Sequence, residues 1–375
     1  MGLNPACYTL RNMSFFVEFG TLILTSYLAF TTALAGFILP LVGNLEQLPS
    51  EEIKLNTPEE HTITRLESDF GGSRLIPDVL LKSAAFQQAN VFGIAPFQGT
   101  TTYSIAEASV NIYCTYTTDE FVRATTGSGF FITPSGAILT NAHVAQFLLL
   151  EKAHRDGETE CFVRTGNPAQ AQYEAKLLYV PPAWISANAD LIDATTPRGT
   201  GERDYALLYA SASLDKTPLP ARFPYLKLNI TALQHRDIGT TIKVGGYPAA
   251  PLYENGVDAE LAFVEAGASI TDLYTFAETT ADLMAISDSP VSTGGSSCGA
   301  VINSAGEAIG VIVTKGETTE DSLRAISLPY IDRTIAEETG FSLLSYLSSD
   351  LAFRSAVFEE ALAPFLRQIL ERELD

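Results

Sequence analysis

The chain has 375 residues, 46% of them apolar, so it is long enough to bury a large core and too apolar to be a disordered protein. Its formal charge is −21, from 23 basic and 44 acidic residues, which argues against a nucleic-acid-binding protein because such proteins neutralise phosphates with a basic surface. Four cysteines without Cys-x-x-Cys spacing and four scattered histidines argue against a structural zinc site, and we predict neither a metal nor an organic cofactor.

The first predicted element is an apolar segment, residues 19–42, which contains no charged side chain. About 20 apolar residues suffice for a helix to cross the hydrocarbon core of a membrane, so we predict a transmembrane anchor. Arg11 precedes the segment and mainly acidic residues follow it, which places residues 1–18 in the cytoplasm and the rest outside. The prediction is a single-pass protein of the cell membrane with an extracytoplasmic main part. The alternative is a signal peptide cleaved after Ala35, although the apolar run continues past that site.

The composition of the sequence changes twice after the predicted anchor. Residues 43–100 are predicted to form a polar tether followed by a short helix, and that helix begins near Pro77. From about residue 101, short runs rich in β-branched and aromatic residues alternate with clusters of turn formers, a pattern typical of an all-β sandwich or barrel pair. The predicted strands are Ser109–Tyr116, Gly129–Ile132, Cys161–Arg164, Glu174–Val180, Tyr205–Tyr209, Thr241–Gly246, Glu260–Ala268, Ala300–Asn303 and Ala308–Thr314.

The last part of the chain, residues 333–375, is predicted to be a C-terminal helical extension. Apolar residues from Leu351 to Leu370 recur with helical spacing, and Pro364 should kink or divide the helix. We expect this apolar stripe to pack on the β domain; oligomerisation is the alternative, and the sequence leaves the oligomeric state unknown.

Three short strings contain the candidate chemistry. Residues 127–144 (GSGFFITPSGAILTNAHV) predict two strands joined by a turn, with His143 where the chain leaves the sheet. Asp204 lies at the mouth of an apolar strand, where orienting an imidazole would offset the cost of its burial. Residues 294–303 (GGSSCGAVIN) form a glycine-rich turn that presents hydroxyl groups before a predicted hairpin. Each string alone is also compatible with an ordinary structural role.

Taken together, the strings resemble the trypsin-like serine proteases, nearest the bacterial Deg/HtrA branch. The resemblance implies two six-stranded antiparallel β-barrels of the chymotrypsin type in residues 101–332, without a PDZ domain because the remaining tail is short. It also implies a serine endopeptidase that acts on polypeptide substrates. His143, Asp204 and Ser297 would form the catalytic triad in the cleft between the barrels.

The same resemblance assigns roles to the residues around the triad. The backbone N–H groups of Gly295 and Ser297 would form the oxyanion hole. Val291, six residues before the serine, would lie at the base of the specificity pocket and favour small or medium apolar side chains.

The serine loop departs from the family pattern Gly-x-Ser-Gly-Gly, because Cys298 occupies the position after Ser297. Two alternatives therefore stay open: a cysteine protease that uses Cys298, and a catalytically inactive protease fold that serves as a binding module. Counting back from the following hairpin favours Ser297, since a nucleophile at Cys298 would put Ser296 where a glycine is needed. The stretch Pro181–Gly201 is a predicted insertion that lengthens the distance along the chain between His143 and Asp204.

The cysteines of the predicted first barrel offer one possible cross-link. Cys114 and Cys161 both lie in predicted strands, and outside the cytoplasm they could form a disulfide. Two independent buried thiols are the alternative, because the sequence alone does not determine pairing.

Overall fold

The structure is a computed structural model of the chain and describes residues 64–65, 103–119, 122–153, 157–192, 200–256, 259–276, 280–292, 299–315 and 323–374. The predicted anchor at residues 19–42, the predicted helix after Pro77 and the serine loop at residues 293–298 lie outside this part. Within it, no helix combines the length and the apolar character that crossing a membrane requires.

Six antiparallel strands close the first barrel. After a two-residue strand β1 (Thr64–Arg65), these strands are β2 (Ser109–Thr117), β3 (Val122–Phe131), β4 (Ala137–Thr140), β5 (Glu158–Thr165), β6 (Gln170–Tyr179) and β7 (Ala206–Ser213). Their order around the barrel is β2-β3-β4-β7-β6-β5. Because side chains alternate along a strand, Val110 and Ile112 of β2 point the same way, and both are fully buried in the core.

The second barrel also has six antiparallel strands. They are β8 (Thr241–Gly246), β9 (Val264–Thr275), β10 (Leu283–Ile286), β11 (Ala300–Ile302), β12 (Ala308–Lys315) and β13 (Leu323–Ser327). The order is β9-β10-β13-β12-β11-β8, and pairing of β8 with β9 closes the ring, while β1 adds to β9 in parallel. A smaller apolar cluster that includes Val244, Met284 and Ile312 fills its interior. The prediction of two six-stranded antiparallel barrels is confirmed.

The strand bounds differ from prediction mainly in the second barrel. The strand predicted at Glu260–Ala268 is β9 at Val264–Thr275, and β10 and β13 were not predicted at all. Both unpredicted strands are short, buried and without polar alternation, and β13 runs directly into a helix. Such runs carry no period that distinguishes a strand from a helix.

Eight α-helices are present among the described residues. They are α1 (Ile105–Ala108), α2 (Ala142–Leu149), α3 (Pro182–Asn188), α4 (Ala250–Asn255), α5 (Leu328–Thr339), α6 (Leu343–Leu347), α7 (Leu351–Ala361) and α8 (Ala363–Leu374). Short 3₁₀ turns occupy Leu150–Lys152, Ala189–Leu191, His235–Asp237 and Pro290–Ser292.

The C-terminal tail is helical and packs on the first barrel, as its apolar stripe predicts. Pro364 is the second residue of α8, where a missing N–H is tolerated, so the tail divides into α7 and α8 at this point. Leu351, Phe358 and Leu370 are buried in the same cluster as the first-barrel core. Helix α7 lies against β6, and α8 lies against α2 and against α3, which belongs to the predicted insertion.

Candidate active site

His143 lies at the start of helix α2, directly after strand β4. Asn141 is the residue that precedes the helix, and its extended backbone ends the strand before the chain turns. Thr140, the last residue of β4, donates a hydrogen bond of 2.8 Å from its hydroxyl to the Ser128 carbonyl of β3. His143 therefore occupies the second helical position, on a backbone that the barrel holds in place.

His143 and Asp204 are joined by two hydrogen bonds. Nδ1 of the imidazole lies 2.7 Å from Oδ2 of Asp204, and the backbone N–H of His143 donates to Oδ1 at 3.0 Å. The second bond satisfies one of the N–H groups that have no partner within the first turn of a helix, and negative charge is favourable there. Because a carboxylate only accepts hydrogen bonds, Nδ1 carries the proton, and Nε2 is the basic nitrogen of the neutral ring.

Burial strengthens this pair. The side chain of Asp204 is 7% exposed and that of His143 is 15% exposed. Asn141 donates from Nδ2 to the Asp204 carbonyl at 2.6 Å, so the start of α2 contacts both the backbone and the carboxylate of this residue. The structure thus brings together two of the three predicted catalytic residues.

The turn before Asp204 requires unusual backbone conformations. Gly201 has φ +85°, and a side chain there would meet Val313 at 2.7 Å. The Gly201 carbonyl accepts the Asp204 N–H at 3.1 Å. Arg203 has φ 57°, in the left-handed region that residues with a side chain rarely adopt. Surrounding contacts must therefore hold this conformation.

Helix α5 supplies contacts to both chain neighbours of Asp204. The hydroxyl of Tyr330 accepts the Arg203 N–H at 3.0 Å, and Thr334 and Tyr205 share a hydrogen bond between their hydroxyls at 2.8 Å. The Arg203 guanidinium forms an ion pair with Glu338.

These groups lie in a buried region behind the carboxylate. The hydroxyl of Tyr179 donates a hydrogen bond to the Glu338 carboxylate. Burial raises the pKa of Tyr179 and that of Tyr205 far above the ordinary value of a tyrosine, so both phenols stay protonated. Burial alone would lower the pKa of Arg203, but the Glu338 carboxylate and the surrounding tyrosine hydroxyls together raise it. Burial raises the pKa of Glu338, and Arg203 opposes the change. The sequence motifs do not indicate this network, because Glu338 lies 135 residues from Arg203 and belongs to no motif.

The predicted nucleophile and oxyanion residues, Ser297 and Gly295, lie outside the described residues, as does Cys298. The described chain resumes at Gly299, whose carbonyl accepts the Ile312 N–H of β12 at 2.9 Å. A Cβ added at Gly246 would lie 3.4 Å from the Gly299 Cα and 2.9 Å from the Ser128 hydroxyl of β3. Gly299 is thus at the contact between the two barrels.

The remaining predicted site residues have defined positions. Val291 is fully buried within the apolar cluster of the second barrel, and its role in a specificity pocket stays a prediction. Cys114 and Cys161 face each other on β2 and β5 and are joined by a disulfide.

Comparison with known proteins gives a family for the central part of the chain. Residues 127–311 match the family model of the trypsin-like peptidase domain. No curated protein matches the sequence.

Similar solved structures include a serine endoprotease from Yersinia pestis, with 21% identity and a TM-score of 0.37, covering 69% of this chain and 68% of that one. The Rv3671c protease from M. tuberculosis, in its active form, shares 17% identity over 77% of this chain and 95% of its own, with a TM-score of 0.38. Deg5 shares 17% identity over 67% of this chain and 94% of its own, with a TM-score of 0.39.

The family match covers the strand and helix that position His143, the turn that presents Asp204, and the hairpin after the serine loop as far as residue 311. The predicted resemblance to trypsin-like proteases is confirmed. Residues 127–311 of this chain are thus similar to a trypsin-like peptidase domain.

Proposed function

We propose that the chain is a membrane-anchored, extracytoplasmic serine endopeptidase that cleaves polypeptides through an acyl-enzyme on Ser297. The observation that carries the proposal is the doubly hydrogen-bonded pair of His143 and Asp204 within a trypsin-like peptidase domain. Membrane anchoring rests on the uncharged segment at residues 19–42.

The geometry of the pair supports the following chemistry. The serine hydroxyl is a poor nucleophile until a base accepts its proton, and Nε2 of His143 would be that base. Asp204 would hold the ring in the required tautomer and stabilise the imidazolium that forms. The imidazolium would then give its proton to the leaving amine, and water would hydrolyse the acyl-enzyme by the same sequence of proton transfers.

The oxyanion of the tetrahedral intermediate would accept hydrogen bonds from the backbone N–H groups of Gly295 and Ser297. Removing one donor of this kind typically costs about 3 kcal/mol of transition-state stabilisation. Cys298 restricts the backbone next to these donors more than the glycine of the family pattern does. The two alternatives, a cysteine nucleophile and an inactive binding module, follow from this one departure.

Labelling of the full-length chain with a fluorophosphonate probe tests the proposal. We expect the wild-type protein to be labelled, and we expect Ser297→Ala and His143→Ala to abolish labelling. Ser296→Ala is the matched control, because it removes the adjacent hydroxyl and should leave labelling intact.

Two other results would contradict the proposal. Absence of labelling in folded wild-type protein would favour the binding module. Labelling that survives Ser297→Ala and is lost in Cys298→Ala would assign the nucleophile to the cysteine.

A further inference from the structure

One face of helix α5 is directed at the two chain neighbours of Asp204. Tyr330, Thr334 and Glu338 are spaced four residues apart, so they lie on the same side of the helix. Tyr330 and Glu338 bind the backbone and the side chain of Arg203, and Thr334 binds the hydroxyl of Tyr205. Asp204 itself forms none of these bonds, yet it lies between the two residues that do.

Helix α2 contacts Asp204 from the other direction. Asn141 binds its carbonyl and His143 binds its carboxylate, so the residue is placed between two helices. The contacts with α2 hold the Asp204 carboxylate at hydrogen-bond distance from the imidazole only if the backbone of residues 203–205, which contacts α5, cannot rotate. Arg203, with its positive φ, is the point where that rotation would occur.

The Arg203–Glu338 pair is well suited to prevent this rotation. The Arg203 side chain is 22% exposed and that of Glu338 is 10% exposed, so water screens their attraction only weakly. Tyr179 donates a further hydrogen bond to Glu338 and fixes the carboxylate from strand β6. Glu337 also approaches Arg203, at 3.7 Å, but its side chain is 54% exposed and therefore interacts weakly.

We infer that Arg203 and Glu338 are positioning residues, which act through the backbone of residues 203–205 to hold the Asp204 carboxylate against His143. The inference rests on the proposed function for its effect on catalysis. Its effect on the hydrogen bond between Asp204 and His143 is independent of which residue is the nucleophile. In the absence of Glu338, the Arg203 guanidinium loses its buried counter-charge, and the Tyr330 hydroxyl remains as the main contact between this turn and α5.

The experiment compares Glu338→Gln with the matched control Glu337→Gln in the full-length chain. The first readout is the low-field proton resonance of His143 Nδ1–H in protein with ¹⁵N-labelled histidine, since this resonance reports the hydrogen bond to Asp204. We expect Glu338→Gln to weaken or shift the resonance upfield and Glu337→Gln to leave it in place.

The second readout is cleavage of a fluorogenic casein substrate. We expect kcat of Glu338→Gln to fall at least about tenfold with KM unchanged, because small displacements of a catalytic group cost rate rather than binding. A folded Glu338→Gln protein that keeps both the wild-type resonance and the wild-type kcat overturns the inference. If the wild-type chain is not labelled by fluorophosphonate, the proposed function fails, whereas the resonance still decides this inference.

A double variant covers the case in which Glu338→Gln does not fold because Arg203 is left as an unbalanced buried charge. Arg203→Met combined with Glu338→Gln removes both charges, and we expect the same weakening or upfield shift of the resonance. Failure of both variants to fold, while Glu337→Gln folds, also overturns the inference. The ion pair would then support the whole domain and not this carboxylate in particular.

Discussion

Asp204 has two functions in the structure, because it binds both the imidazole and the first turn of helix α2. An asparagine at this position can still accept one hydrogen bond, but its amide group can also donate to Nδ1 and stabilise the wrong tautomer of His143. We predict that Asp204→Asn lowers kcat by about 10⁴-fold with little change in KM, as expected when the base loses its orientation. Steady-state kinetics on fluorogenic casein measures this.

Asp190→Asn is the control for that substitution, since Asp190 is an exposed acidic residue in the 3₁₀ turn after α3. It should retain the kinetic constants of the wild-type chain. Near-normal kcat in Asp204→Asn would show that this carboxylate does not orient the base, and the proposed mechanism would be wrong.

At the scale of residues, the sequence predicts those site residues that have both a chemically suitable side chain and a recognisable local motif. His143 and Asp204 lie in short strings whose turn and strand residues identify them, and the structure brings the two side chains into contact. Arg203 lies beside Asp204 in the same string, but its importance depends on Glu338 in a distant helix. A contact made only by tertiary folding leaves no periodic signal in either segment.

Helices and strands also differ in how much of their position can be predicted from local sequence. Strand β2 is predicted nearly to its ends because it is long and rich in β-branched and aromatic residues. Strand β13 and helix α5 follow each other without a break, and the buried run from Ala325 to Leu328 crosses the boundary at Ser327. The side chain of Ser327 caps the helix by accepting the Tyr330 N–H at 3.3 Å. The residue types around Ser327 did not by themselves predict that the helix begins here.

The C-terminal helices behave as part of the first barrel. Phe358 of α7 is fully buried in the barrel's cluster, whereas Phe353 of the same helix is 39% exposed. We predict that Phe358→Ala lowers the free energy of unfolding by about 3–5 kcal/mol, from lost burial and the cavity left behind. Thermal unfolding followed by circular dichroism measures the change as a fall in Tm.

Phe353→Ala is the matched control, because it removes the same side chain from the same helix at an exposed position. It should change the free energy of unfolding by less than about 1 kcal/mol. Equal and small effects of the two substitutions would mean that α7 does not contribute to the stability of the barrel.

At the scale of the whole molecule, the disulfide and the apolar segment support the same topology. A disulfide such as Cys114–Cys161 persists in oxidising compartments and is rare in the cytoplasm. The charge distribution around residues 19–42 independently predicts that the peptidase domain lies outside the cytoplasm. Neither observation depends on the chemistry of the site, so the topology can be tested separately from the activity.

Cysteine labelling in intact cells that express the full-length chain tests this topology. In a Cys298→Ser background, a membrane-impermeant maleimide should label a cysteine introduced by Ser50→Cys and should not label Cys7, which precedes the anchor. We also expect the chain to resist extraction at alkaline pH, because about 20 buried apolar residues insert almost irreversibly. A mature chain that begins at residue 36 and is released by alkali would show instead that the segment is a cleaved signal peptide. Labelling of Cys7 in intact cells would reverse the proposed orientation and place the peptidase domain in the cytoplasm.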